Sequence, residues 1–242
     1  MPITNHESGT NVEEIADAIY RITPVPPSVI PGGFTFNQYL IVDEAPLLFH
    51  TGLRRMFALV REAVASVIPI QRLRYIGLSH VEADECGSVN EWLAAAPEAH
   101  PLCGRVAASV SMEDLADRMP REMADREVLS IGDHHLRWFD TPHLPHAWEC
   151  GFLFEERTRT LLCGDLFSQP GDKLVALTQS DILGPSEAFR ARMDYYSHTK
   201  NARTMLGRLA DCAPETLACM HGSAWHGDGR SLLLALGEAL SK

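Results

Sequence analysis

The most reactive-looking stretch of the chain is "HVEADE", which begins at His80 and places one imidazole beside three carboxylates. The carboxylates belong to Glu82, Asp84 and Glu85. Clustered carboxylates repel one another, and a bound cation is the simplest compensation. A solvated helix face is the competing explanation. The apolar run "LRYIGLS" before the stretch and Gly87 after it argue against a long exposed helix, so the stretch predicts a metal site.

Three further polar residues follow apolar, strand-like runs at other places in the chain. His143 follows "LRWFDTP", Asp165 follows "TLLCG", and His221 follows "TLACM". Alone, each is more often a turn residue or a satisfied histidine. Because loops at strand ends are held in place by a rigid sheet, four strand ends that carry His or Asp predict one shared site.

The elements that must position these loops are read from hydrophobic periodicity. The runs "FTFNQYLIVD", "APLLFHTG", "LRYIGLS", "HHLRWFDTP" and "TLACMHG" predict strands, and "CGFLFEERTRTLLCGD" predicts a hairpin. Apolar residues from Met56 to Val67 recur at helical spacing, one long helix is expected over 185–212, and "GRSLLLALGEALSK" predicts a terminal helix. These elements predict a single α/β domain in which sheets pack together under helices, with residues 1–11 as a flexible arm.

Composition excludes several classes of protein. The 242 residues are 45% hydrophobic and 22% charged, as in ordinary soluble domains, and a formal net charge of -11 argues against nucleic acid or an anionic membrane as the partner. No apolar run approaches the roughly 20 residues of a membrane span. The start "MPITNHESGT" has no leader pattern, so we expect a cytoplasmic protein. The six cysteines form no C-x-x-C pair, which disfavours a zinc ribbon or a thioredoxin motif.

The order "HVEADE … TPHLPH … GDLF … MHGSAW" resembles the metallo-β-lactamase fold. More narrowly, it resembles the diiron domain of flavodiiron proteins and the free-standing oxygen-binding diiron proteins, whose first motif is H-x-E-x-D-H. The resemblance spans roughly residues 12 to 240. It implies a single metallo-β-lactamase-like domain over 1–242, an αββα sandwich of two mixed sheets flanked by helices.

The resemblance also implies a ligand set for two metal ions. The implied ligands are His80, Glu82 and His143 for one metal, Asp84 and His221 for the other, and Asp165 as the bridge. Glu85 stands where the family pattern has a further histidine, and it either coordinates the second metal through its carboxylate or points away from the site. The H-x-P spacing favours His143 over His146 as the ligand. His146, Trp225 and His50 are then expected to line the pocket or to support the ligands.

Two features of the motif bear on the metal. Hydrolytic relatives of the fold carry histidine where Glu82 stands, and carboxylate-rich mixed sites suit iron or manganese better than zinc. Up to four carboxylates would balance two divalent cations. The chain departs from the family pattern at Glu85, where the pattern has histidine, and at His50, where many relatives have aspartate before Thr-Gly.

The leading functional prediction is a non-haem diiron protein with two iron ions. It would bind dioxygen as a sensor or carrier, or reduce dioxygen or nitric oxide with external electrons. Flavodiiron enzymes carry an FMN domain after the diiron domain, and the chain ends at Lys242, so we expect no FMN here and a separate electron-transfer protein.

The alternative is a zinc-dependent hydrolase acting on a thioester, lactone, lactam or phosphodiester through metal-bound water. A binding module without chemistry is a third class, and the oligomeric state is left open, a homodimer included.

Overall fold

Two β-sheets pack face to face in the computed structural model, which describes residues 3–24, 32–172 and 174–241. The first sheet runs in the order β1 (Ile3–Asn5), β2 (Thr10–Ala16), β3 (Ile19–Thr23), β4 (Gln38–Ile41), β5 (Leu47–Phe49), β6 (Tyr75–Gly77), β7 (His100–Gly104) and β8 (Arg121–Met123). Its first half is antiparallel, and β5 to β8 are parallel.

The second sheet takes the remaining strands of the described chain in a mixed order. In chain order they are β9 (Val128–Ser130), β10 (His135–Asp140), β11 (Gly151–Glu155), β12 (Thr160–Leu162), β13 (Leu177–Thr178), β14 (Thr216–Ala218) and β15 (Ala224–His226). Their spatial order is β13-β15-β14-β12-β11-β10-β9. The predicted hairpin is confirmed, because β11 and β12 pair antiparallel around the turn.

Helices cover the outer face of each sheet. They are α1 (Phe57–Ala65), α2 (Ala83–Cys86), α3 (Val89–Ala95), α4 (Arg105–Ala107), α5 (Glu113–Leu115), α6 (Leu183–Met193), α7 (Ala202–Asp211) and α8 (Gly229–Ala239). A π-helical turn, Ala108–Met112, joins α4 to α5, and short 3-10 turns lie at Arg54–Met56 and Ile70–Arg72.

The alternation of side chains along each strand fills three apolar layers. On β4, Leu40 points outward to the layer that contains Val60 of α1. The next residue, Ile41, points the other way and packs between the sheets with Trp138 of β10. On the far side, Leu209 of α7 packs in the layer between the second sheet and its helices. The predicted fold, two mixed sheets flanked by helices, is therefore confirmed.

Two expectations about the elements are wrong. Residues 3–5 and 10–16 form strands of the first sheet, so the flexible arm expected over 1–11 is not found in its described part. The helix expected over 185–212 is two helices, because α6 ends at Asp194 in the left-handed conformation (φ 49°) and α7 begins only at Ala202. The irregular segment 194–201 between them reaches the metal-ligand loops described below.

Among the described residues, no helix is long and apolar enough to cross a membrane.

Candidate metal centre

The proposed ligands lie on loops at one end of the two sheets. His80 follows β6 of the first sheet, Glu82 is the N-cap of the short helix α2, and α2 carries Asp84 and Glu85. Asp165 follows β12 and His221 follows β14, and these two strands are parallel neighbours of the second sheet. Because the carboxyl ends of parallel strands point to the same edge, residues far apart in sequence meet there. The expectation of one shared site at the strand ends agrees with this placement.

The first group of donors converges at the end of the two sheets where these loops lie. It contains His80, Glu82, His146 and Asp165, whose ligand atoms all lie within 4.8 Å of one another. The Nε2 atoms of His80 and His146 are 3.0 Å apart, and Glu82 Oε2 lies 3.2 and 3.1 Å from them. Asp165 Oδ2 completes the group at 3.6 and 3.4 Å from the same two nitrogens. Donors spaced in this way fit around a cation at about 2.1 Å from each.

The second group lies on the other side of Asp165. Its members are Asp84, Glu85 and His221, again with ligand atoms within 4.8 Å of one another. His221 Nε2 is 3.4 Å from Asp84 Oδ2 and 3.3 Å from Asp165 Oδ1. Asp165 therefore presents one carboxylate oxygen to each group, which is the arrangement that a bridging ligand needs.

Glu85 provides the clearest sign that a cation belongs here. Its side chain is fully buried, and neither carboxylate oxygen has a hydrogen-bond partner among the described residues. Burial raises the pKa of Glu85 well above its usual range. An unpaired buried carboxylate is costly, and glutamate is rarely buried without a partner. A metal ion beside Asp84 and His221 would supply the missing partner, so the residues present fit a two-metal centre.

Neighbouring imidazoles hold Glu82 and Asp165 in the charged form, whereas burial raises the pKa of Asp84. Hydrogen bonds from His146 and His80 lower the pKa of Glu82 to about 2. Burial alone would raise the pKa of Asp165, but the imidazoles of His221 and His80 beside it lower it below the usual range. Deprotonated carboxylates are the form that binds metal ions.

In two of the imidazoles, the Nδ1 atom faces away from the donor groups and has a hydrogen-bond partner in the surrounding chain. His221 Nδ1 lies 2.7 Å from the carbonyl oxygen of Thr35, and Phe34 stacks on the same ring at 4.2 Å between centroids. His80 Nδ1 lies 2.9 Å from the hydroxyl oxygen of Ser79. Such contacts leave each Nε2 free to face the donor groups, as is usual for metal-binding histidines.

A cavity of about 210 Å³ opens onto the donors. Beside the ligands, it is lined by Phe34, Ser168, Phe189, Met193 and Tyr195. The tyrosine lies in the irregular segment between α6 and α7, and its hydroxyl donates to the carbonyl oxygen of Asp165 at 3.3 Å. Tyr195 was not predicted as a wall residue, because the spacing of residues 185–212 predicts one continuous helix there. The volume is below the roughly 300 to 1,000 Å³ of sites for drug-sized ligands, and the site is suited to a small molecule.

The preference for His143 over His146 is corrected by the geometry. His143 is exposed and lines a different cavity, beside Arg190 and Lys200. The loop turns back on itself, because His143 N–H donates to Ala147 O at 2.8 Å and both residues have positive φ. The turn sends His143 away from the donor groups and brings His146 into the first of them.

The two other expected supporting residues have different positions. His50 is buried behind His80, and its Nε2 lies 2.9 Å from the hydroxyl oxygen of Ser79. Trp225, on β15, packs against the apolar layer under the second sheet's helices and does not line the cavity over the described ligands. It is therefore not a pocket wall.

A family model and several known proteins match the chain. The family model of the ODP family beta lactamase matches residues 34–222. The rubredoxin-oxygen oxidoreductase of Megalodesulfovibrio gigas is 26% identical over 211 residues, which are 81% of this chain and 50% of that protein. The diflavin flavoprotein A 2 of Nostoc is 25% identical over 145 residues, 57% of this chain and 24% of that protein. The chain thus spans at most about half the length of these relatives.

Solved structures share the fold at lower identity. The flavodiiron core of a Synechocystis protein, from a metal-soaked crystal, superimposes with a TM-score of 0.79 at 20% identity, covering 96% of this chain and 60% of that one. The flavodiiron protein of Giardia intestinalis gives a TM-score of 0.80 at 18% identity, covering 96% and 59%. At these identities the likeness supports the fold.

Proposed function

Because the chain belongs to the ODP family of beta lactamases, we propose that it is a non-haem diiron protein that binds or reduces dioxygen or nitric oxide. The observation that carries the proposal is the donor set: four carboxylates and three imidazoles arranged in two groups around Asp165. Mixed oxygen and nitrogen donors of this kind suit iron or manganese, whereas imidazole-rich or thiolate sites suit zinc. The names of the matched relatives point the same way.

The ligands proposed for iron are the members of the two groups. They are His80, Glu82 and His146 for one ion, Asp84, Glu85 and His221 for the other, and Asp165 for both. Two bound iron ions would supply electrons and coordination positions for a diatomic molecule. The four carboxylates balance the charge of two divalent cations, which relieves the repulsion that burial would otherwise impose.

The remaining residues of the cavity select what reaches the ions. Phe34 and Phe189 give the entrance an apolar wall, which favours an uncharged diatomic molecule over a charged or bulky substrate. Tyr195 lies at the same wall, and its hydroxyl donates to the carbonyl oxygen of Asp165. A hydrolase substrate such as a lactam or thioester is larger than this space favours, and neither the donor set nor the relatives support that alternative.

The two sheets contribute to the site jointly, since each donor group takes ligands from loops of both. We therefore also propose that residues 1–242 act as one functional unit. Electrons would come from a carrier protein, as the name rubredoxin-oxygen oxidoreductase indicates for the relative.

The test begins with metal content. Protein reconstituted with ferrous iron under anaerobic conditions should hold about two iron ions per chain, and the diferric form should absorb visible light. Dioxygen and nitric oxide uptake is then measured with and without reduced rubredoxin, and zinc-loaded protein is assayed on lactam and thioester substrates. Exclusive zinc binding together with hydrolysis would refute the proposal.

A further inference from the structure

A short line of buried polar side chains stands behind His80. His50 is 1% exposed, and its Nε2 lies 2.9 Å from Ser79 Oγ. The same hydroxyl oxygen lies 2.9 Å from His80 Nδ1. On its other side, His50 Nδ1 lies 3.0 Å from Met220 Sδ. Ser79 and His50 thus link the side chain of His80 to that of Met220, and we call this pair the His50–Ser79 bridge.

The geometry permits one consistent set of donors and acceptors when His80 binds a metal. Its Nε2 faces the first donor group, so its Nδ1 carries the proton and donates to Ser79 Oγ. The Ser79 hydroxyl then donates to His50 Nε2. His50 must carry its own proton on Nδ1, where the sulfur of Met220 is a weak acceptor.

His50 stays uncharged in this position. Burial lowers the pKa of His50 to about 3, so the ring is neutral at any pH near 7. Its backbone is in the left-handed region (φ 66°), and its N–H donates to Gly77 O at 2.8 Å on the strand that leads to His80. The next residue, Thr51, donates its N–H to the carbonyl oxygen of Glu85 at 2.8 Å. The segment is thus tied by its backbone to the loop that holds the opening motif.

We propose that His50 is a positioning residue which, through Ser79, holds His80 in its metal-binding tautomer and gives it a neutral hydrogen-bond acceptor. This inference rests on the proposed metal centre. The donor groups already contain four carboxylates. A carboxylate behind His80 would add a fifth negative charge and make the imidazole a stronger base, which favours ferric over ferrous iron. The neutral bridge orients the ligand without that charge. Through Met220, which precedes His221, it also touches the strand end that carries a ligand of the second group.

The proton positions can be read directly by nitrogen NMR of the imidazoles. Zinc-loaded protein is diamagnetic and suits this measurement. We expect His80 and His50 each to carry a proton on Nδ1 and none on Nε2. A proton on Nε2 of His50 would reverse the direction of the hydrogen bond between His50 and Ser79 and would overturn the inference.

Metal affinity and reduction potential test the role itself. Ser79→Ala and His50→Leu should each weaken zinc and iron binding by about 10- to 100-fold, the usual effect of losing a ligand's supporting partner. His50→Gln, whose side-chain oxygen can accept from Ser79, should recover most of the affinity. His50→Asp should favour ferric iron by about tenfold, a potential lower by about 59 mV. His134→Gln changes a buried histidine outside both donor groups, paired with Glu155, and should leave affinity and potential unchanged.

Each failure has a separate meaning. Wild-type affinity and potential in both Ser79→Ala and His50→Leu would overturn the bridge. If His50→Leu does not fold, as judged by urea unfolding of the chelated protein, Ser79→Ala and His50→Gln decide the question. If the wild type holds zinc but no iron, the proposed function fails, while the NMR and zinc affinities still decide whether the bridge exists.

Discussion

Replacing Glu85 by glutamine should stabilise the metal-free protein and weaken the metal-loaded one. The carboxylate of Glu85 is fully buried, without hydrogen bonds in the described chain, and within 4.8 Å of Asp84 and His221. Without a bound cation, this carboxylate lowers the free energy of unfolding. With a bound cation, it serves as a ligand. Glutamine keeps the shape of the side chain but removes the charge, so the sign of its effect should depend on the metal.

Two figures bound the gain in the free energy of unfolding that this substitution should give the metal-free protein. The ligand atoms of Asp84 and Glu85 lie within 4.8 Å of each other, and two unit charges at that limiting separation repel by about 3.5 kcal/mol at an effective dielectric constant of about 20. A second, upper figure applies if the raised pKa of Glu85 keeps the carboxyl protonated in the folded state: relative to an unfolded pKa of 4.5, this would cost at most about 3.4 kcal/mol at pH 7. Attraction to His80, 3.8 Å away, offsets part of this. We expect a net gain of about 2 kcal/mol, or about 4 to 8 °C in Tm.

The assay is urea or thermal unfolding in the presence of a chelator, repeated with saturating zinc or ferrous iron. Because the folded pKa of Glu85 is raised, the folded state binds the extra proton, and the cost of Glu85 grows as the pH rises above about 4.5. The glutamine variant should therefore gain most at high pH. Glu82→Gln is the control: its side chain is half-exposed and its pKa is lowered to about 2, so it should lose a little stability instead. A chelated Glu85→Gln protein less stable than wild type at pH 8 would refute the reasoning.

Three further results are expected. His146→Ala should lose most of the metal from the first group while His143→Ala keeps it, and equal metal content measured by elemental analysis would contradict the placement of the loop. Glu85→His should raise the reduction potential of the iron-loaded protein, since a neutral imidazole replaces a negative ligand; an unchanged redox titration would mean that Glu85 does not touch the metal. Hydrogen bonds from His134 and Thr158 lower the pKa of buried Glu155 to about 2, against the opposing effect of burial. Glu155 should therefore contribute on the order of 2 kcal/mol to the free energy of unfolding, and this contribution is lost as the pH falls from about 4.5 towards 2. Acid unfolding of Glu155→Gln should be correspondingly less steep, and curves of identical slope would contradict this.

The sequence was most informative where neighbouring residues form the site. The spacing of His80, Glu82 and Asp84 fixes which side chains a loop and one helical turn can bring together, and the apolar run before them predicts the strand that ends there. The choice between His143 and His146 as the metal ligand depends on the path of a loop and not on local spacing. Both follow the same strand, and the direction of each depends on how the loop turns back at Ala147. Three residues of spacing do not specify that turn.

The position of Tyr195 in the pocket wall was not predicted, for a related reason. Residues 185–212 contain enough helix-forming residues to predict a single helix, and helical propensity is a weak prior that tertiary packing overrides. The chain breaks instead at Asp194, and Tyr195 packs beside His146 and the backbone of Asp165. Long-range contacts of this type leave no local pattern in the sequence.

The sharing of ligands between the sheets has a thermodynamic consequence. His80 and Glu82 arrive from the first sheet, and His146 and Asp165 from the second, so a bound ion ties the two sheets together at their loop edge. The donor set forms only in the folded chain, and folding is then coupled to metal binding by mass action. At a free metal concentration 100 times its Kd, a single ion adds about 2.7 kcal/mol to the free energy of unfolding. The resistance of this protein to heat and proteolysis would thus follow the metal supply of its surroundings.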